Sequence, residues 1–129
     1  MKIFVNGELM RGLSMHEMMQ GADYITDALT APIYRLFSID DQYPAMVMAQ
    51  PFEEGYSVPG EIYEIPDTLW PQILANERKL GLYPGPIWLS DGHAMRGILS
   101  VRELCEGYQD ISSYGGWRAY RERLETGNK

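Results

Sequence analysis

The sequence predicts an α+β domain, and three observations carry that prediction. Segments of strand character run together through the middle of the chain, in "PIYRLFSI", "YPAMVMAQ" and "EIYEI". Helical patterns are confined to the beginning, to the stretch after those strands and to the end, so helices and strands do not alternate as in a parallel βαβ sheet. A hydrophobic content of 45% over 129 residues is enough for one core, and residues 1–129 are taken as a single domain.

The first element is the apolar run Ile3, Phe4, Val5, a short strand. Asn6-Gly7 follows it, a hairpin signal because both residues tolerate positive φ. No partner strand comes next, so residues 6–13 read as a strand-to-helix bridge. Ser14 and Glu17 match the S-x-x-E capping box, and Met15, Met18, Met19 and Ala22 fall at helical spacing with Gly21 as a stop. The three middle segments are rich in β-branched and aromatic residues and bounded by Pro, Gly or Asp, which implies an antiparallel sheet or barrel. Asp67 or Thr68 caps a helix through "TLWPQILANE", where Pro71 is tolerated because first-turn N–H groups lack intrahelical partners. A hairpin follows in "PIWLSDGHAMRGILS", turning at Asp91-Gly92. The last helix lies in "SSYGGWRAYRERLE", with Ser113 as cap, Trp117, Tyr120 and Leu124 on one face, and the pairs Arg118/Glu122 and Arg121/Glu125 on the other. The tail "TGNK" is expected to fray.

Charge and composition exclude several classes. Eighteen acidic against eleven basic residues, a net charge of −7, leave no basic surplus for a phosphate backbone, so no nucleic-acid partner is expected. No apolar stretch approaches a membrane span, and no membrane partner is expected. The single Cys105 allows neither an internal disulfide nor a cysteine-rich zinc site, which fits a reducing cytoplasm. Phosphate loops, nucleophile elbows and zinc helices are missing. Neither a metal nor an organic cofactor is expected. His16 and His93 read as surface histidines, and Cys105, between acidic neighbours, as an inert thiol.

Two features carry chemistry. Trp70, Ile73, Leu74 and Glu77 fall at i, i+3, i+4 and i+7, so the Glu77 carboxylate continues a core-facing stripe. Desolvation there raises its pKa toward the range useful for proton transfer, whereas an end-of-helix glutamate reaches water or pairs with Arg78 or Lys79. The loop Asn6, Gly7, Glu8, Leu9 is the second feature: backbone N–H groups around a glycine can form a concave anion site, against the reading of an ordinary connection. Tyr34, Tyr43, Tyr63 and Tyr83 are candidate pocket residues that also suit a core.

The blocks "VNGELMRG", "TAPIYRLFSI", "YPAMV", "GEIYEIP", "LGLYPGPIWLSDG" and above all "DISSYGGWRAYRERL" together resemble the C-terminal domain of allophanate hydrolase, over roughly residues 3–125. That resemblance implies a γ-glutamylcyclotransferase-like fold, a small mixed β-barrel with short flanking helices, whose first strand ends in a Gly-containing substrate loop. Asn6, Gly7, Glu8 and Leu9 occupy that loop, and their backbone amides would hold a small carboxylate. Leu9 is aligned with a histidine that the allophanate enzymes carry there. Glu77, in "LANE", is the counterpart of the cyclotransferase glutamate that moves protons, with Tyr34 and Tyr43 as pocket donors. Two functions follow: binding and transforming a small carboxylated amide or carbamate, or cyclising γ-glutamyl amines to 5-oxoproline. The sequence keeps a third open, a non-catalytic binding or assembly module, because eight methionines, several of them on the short helix beginning at Met15, suit an adaptable protein surface as well as a core. A homodimer and a partner amidase are the two assemblies it leaves open.

Overall fold

The computed structural model describes residues 1–127. The chain runs through β1 (Lys2–Val5), a 3-10 turn (His16–Met19), β2 (Asp23–Leu29), β3 (Tyr34–Ile39), β4 (Tyr43–Met48) and β5 (Pro59–Glu64). It continues through α1 (Trp70–Lys79), β6 (Leu82–Trp88), β7 (Ala94–Ser100), α2 (Arg102–Cys105), β8 (Gln109–Asp110), a second 3-10 turn (Ser112–Tyr114) and α3 (Trp117–Glu125).

Ile3, Phe4 and Val5 are apolar in succession because β1 is buried on both faces. It lies at the centre of a five-stranded sheet of order β2-β5-β1-β7-β6, antiparallel to β5 and parallel to β7. The edges of that sheet curl toward each other. Thr30, just past β2, bridges Leu89, just past β6, and the N–H groups of Ala31 and Ser90 donate to the carbonyls of Trp88 and Leu29 at 2.8 and 2.9 Å. A second sheet of three strands, β4-β3-β8, packs alongside. The α+β class is as expected, but among the described residues the two sheets share no continuous ladder, so the barrel is not closed.

Most of the core is one cluster that includes Phe4, Tyr34, Leu36, Tyr63, Ile73 and Trp117, and a smaller one gathers Ile39, Ala45, Val47, Leu82 and Cys105. Cys105 is buried, and burial pushes its thiol pKa up. The β3–β4 hairpin turns on Asp40 and Asp41, both left-handed (φ 54° and 59°), closed by the Gln42 N–H on the Ile39 carbonyl at 3.0 Å. The β6–β7 hairpin turns as expected around Asp91-Gly92, but as a longer loop spanning Leu89 to His93.

Several local expectations give way to tertiary partners. The Met15 helix is a single 3-10 turn, and Ser14 bonds the Glu8 carboxylate instead of capping it. Neither Asp67 nor Thr68 caps α1: the Leu69 N–H is taken by the Pro66 carbonyl at 3.0 Å. α3 starts at Gly116 rather than at a Ser113 cap, because φ values of 87° and 101° at Gly115 and Gly116 turn the chain sharply. Its arginines turn away from Glu122 and Glu125. Arg118 reaches the buried Glu61 and Arg121 the Asp41 carbonyl, partners that exposed helix-surface glutamates do not match. β2, α2 and β8 have no counterpart among the elements expected from the sequence. Part of "TGNK" lies outside the described residues.

Candidate active site

At the end of β1, Asn6 is buried, with its Nδ2 3.7 Å from the Met46 Sδ. Gly7 comes next, and its identity is set by close approach: a Cβ there would lie 2.9 Å from Cδ and 3.0 Å from Cγ of Pro44. The Met10 N–H closes a turn on the Gly7 carbonyl at 3.1 Å. No residue in that turn has positive φ, so it is a helical-type turn rather than a nest of mixed handedness. The N–H groups of Gly7, Glu8 and Leu9 have no protein acceptor among the described residues. They are open donors, as at a helix start.

The loop is pinned from several sides. Ser14 donates its N–H (3.2 Å) and its hydroxyl (2.5 Å) to one Glu8 carboxylate oxygen, and the Trp117 indole N–H donates to the other. The Met15 N–H donates to the Glu8 carbonyl at 3.0 Å. His16 is half-buried with Nδ1 2.8 Å from the Leu9 carbonyl, which makes Nδ1 the protonated nitrogen, so the histidine supports the loop from behind rather than standing in solvent.

Opposite lies α1. Ile73 is fully buried and Glu77, one turn on, is 8% exposed, so the apolar stripe does carry a carboxylate inward. Its side chain has no hydrogen-bond or ion-pair partner among the described residues; Arg78 and Lys79 are exposed beside it. Burial alone pushes the Glu77 pKa up from 4.5 to about 7. This carboxyl therefore exchanges its proton in the neutral range. Glu61, although more buried, is different: it accepts from the Arg11 N–H and Nε, from Arg118 and from the Tyr63 hydroxyl. Burial pushes Glu61 up, but those donors outweigh it and hold its pKa below the ordinary value, as befits a structural anion.

The loop and Glu77 face one cavity of about 210 Å³. Asn6, Gly7, Glu8, Leu9, Tyr43 and Glu77 all line it. Tyr34 does not: it is buried in the main core and its hydroxyl accepts the Trp88 N–H at 2.9 Å. The Tyr43 hydroxyl donates to the Leu80 carbonyl at 2.8 Å, and burial raises its pKa. Asn76, Gln42 and Ser14 add to the polar part of the wall, and none of them reads as a cavity residue in the sequence, where Ser14 reads as a helix cap; Asn76 precedes Glu77 on α1, the one signal that pointed to it. Among the described residues, no lysine, arginine or histidine lines the cavity. An anion there would rest on backbone N–H groups and side-chain amides. Below the ~300–1,000 Å³ usual for drug-sized ligands, the space suits a small molecule.

The fold is γ-glutamylcyclotransferase-like: a solved γ-glutamyl cyclotransferase shares it at a TM-score of 0.55 and 13% identity, over 96% of this chain and 85% of that one. Within that class, the chain belongs to the allophanate hydrolase C-terminal domain family, whose model matches residues 1–122. A uropathogenic E. coli-specific protein is similar in structure at 35% identity and a TM-score of 0.84, covering 99% of this chain and 96% of that one. Kluyveromyces lactis allophanate hydrolase matches at 22% identity and a TM-score of 0.85, over 95% of this chain and 21% of that one. The Saccharomyces cerevisiae urea amidolyase is 26% identical over 136 residues, covering 96% of this chain; the chain spans about 7% of that relative's length.

Proposed function

We propose that this domain binds and transforms a small carboxylated amide or carbamate in the cavity between the Gly7–Met10 turn and Glu77. The observation that carries this reading is the meeting, in one hollow, of open backbone donors and a buried carboxyl that has no partner among the described residues. The N–H groups of Gly7, Glu8 and Leu9 hold the ligand's carboxylate and stabilise charge that develops on it. Glu77, about half protonated near neutral pH, accepts a proton as carboxylate and returns it as acid. Asn6, Asn76 and Tyr43 orient the amide end. An open cavity holding an ionisable group favours catalysis over a purely structural module. An amidase-class reaction supplies such a ligand, which fits the occurrence of the related domain within allophanate hydrolase and urea amidolyase, and a partner amidase in the cytoplasm is the assembly we favour over a homodimer.

Cyclisation of γ-glutamyl amines to 5-oxoproline is the second reading, favoured by the inward position of Glu77. Two measurements separate the readings. Titration with malonamate, a stable carboxylated amide, should shift the amide NMR signals of residues 7–9, and neutral malonamide should not. Incubation with γ-glutamyl amines should yield 5-oxoproline only under the second reading, and Glu77→Gln should abolish it. Malonamate leaving residues 7–9 untouched, together with no 5-oxoproline, would remove both.

A further inference from the structure

The most distinctive block of the sequence, "SSYGGWRAYRERL", contributes nothing to the cavity wall. Its helix α3 nevertheless reaches both sides of the cavity. On one side the Trp117 indole N–H donates to Glu8, the middle of the open-donor turn. On the other, the Tyr120 hydroxyl donates to the Asp41 carboxylate at 2.5 Å and Arg121 Nη1 to the Asp41 carbonyl at 2.7 Å. Asp41 is a left-handed residue of the hairpin whose next three residues, Gln42, Tyr43 and Pro44, line the cavity. Pro44 in turn abuts Gly7. The two walls thus touch each other and are both tied to one helix.

The anchors themselves are rigid. Trp117 is fully buried and Tyr120 is 4% exposed. Their rings lie 5.6 Å apart, Tyr114 packs edge-on to Tyr120 at 5.2 Å, and the Arg121 guanidinium lies over the Trp117 ring at 5.8 Å. Buried aromatic anchors with few rotatable bonds can fix a donor's position closely, and a ligand turn works only if its donors are held in place. Glu8 is held at both carboxylate oxygens, by Ser14 at one and by Trp117 at the other, so loss of Trp117 leaves one oxygen without its donor and lets the carboxylate turn about its Ser14 anchor, taking the turn with it.

We propose that Trp117 and Tyr120 are positioning residues: α3 sets the geometry of the small-ligand cavity by clamping Glu8 on one wall and Asp41 on the other. This deepens the function proposed above and rests on it for the ligand, though not for the clamp. It also gives a physical reason for the specificity of the C-terminal block, since a tryptophan donor and a tyrosine donor must sit three residues apart on one helix face.

The test compares Trp117→Phe, Tyr120→Phe and a control, Leu124→Ala, which loosens α3 packing without touching either wall. In the ligand-free protein, Trp117→Phe should shift the amide signals of residues 7–9 and Ser14, and Tyr120→Phe those of residues 41–43. Trp117→Phe should also weaken malonamate about tenfold, the scale of one hydrogen bond to a charged group. Leu124→Ala should lower the Tm and leave both sets of signals and the affinity in place. Wall signals unmoved in both phenylalanine variants, or moved equally by the control, overturn the clamp. If Trp117→Phe fails to fold, Tyr120→Phe decides the question through residues 41–43. If malonamate fails to bind wild type, the ligand assignment falls while the ligand-free signals still judge the clamp.

Discussion

Replacing Glu77 by glutamine tests the central physical claim without any substrate. A carboxyl whose pKa rises from 4.5 in the unfolded chain to about 7 in the folded one binds its proton more tightly when folded. Between those two values the native state holds a proton that the unfolded state has lost, so stability falls as pH rises through that window and levels off above it. At about 1.4 kcal/mol per pH unit the full loss is about 3 kcal/mol. Because Glu77 is 8% exposed, little of that is screened by solvent. Glutamine has nearly the same shape and no charge to bury. Denaturant unfolding at half-unit steps from pH 4.5 to 8.5 should therefore show wild type declining while Glu77→Gln stays flat relative to it, the variant becoming the more stable protein above neutrality. Carboxylates whose folded pKa is depressed, Glu61 and Asp110 among them, act in the opposite sense and below this window, and the difference between the two proteins cancels them. Parallel curves from pH 5 to 8 would show that Glu77 is solvated, and the proton-transfer role would go with it.

Gly7→Ala places a methyl against the rigid Pro44 ring, 2.9 Å from Cδ, and should cost about 1–3 kcal/mol while displacing the open-donor turn; thermal melts and malonamate titration measure both effects. Glu61→Ala leaves the Tyr63 hydroxyl and the donors of Arg11 without their acceptor and should cost about 3 kcal/mol in denaturant unfolding at pH 7, with no change in the pH profile between 5 and 8. Cys105, 4% exposed, should react with a thiol reagent only at the rate of unfolding, so its labelling should accelerate with denaturant in step with the loss of folded signal.

What could be read from the sequence was whatever local pattern alone determines. The strands β3 to β7 announce themselves by aromatic and β-branched runs between turn residues, and Glu77 by its place in a helical stripe. β2 escaped because it is an edge strand exposed along nearly its whole length, with Asp23 and Asp27 among its residues, and so lacks a buried face to impose alternation. The methionine stripe after Ser14 promised a helix, but Ser14 is engaged by Glu8 and only a single turn forms. Tyr34 and Tyr43 look alike in sequence. One hydroxyl meets a β6 amide in the core and the other meets the end of α1 at the cavity, a distinction that depends on sheet packing. The link between Trp117 and Glu8 spans 109 residues and has no periodicity to betray it.

The outer strand β6 carries Pro84 and Pro86 two residues apart, paired with Ile98 and Arg96 on its inner neighbour. Residues two apart direct their main-chain nitrogens to the same side, and a ladder keeps its donors for the neighbour it has, so both missing hydrogens fall on the rim that faces away. That rim is a poor template for a strand from another polypeptide. Any protein that docks on this flank must therefore recognise side chains, such as the half-exposed Trp88, rather than extend the sheet.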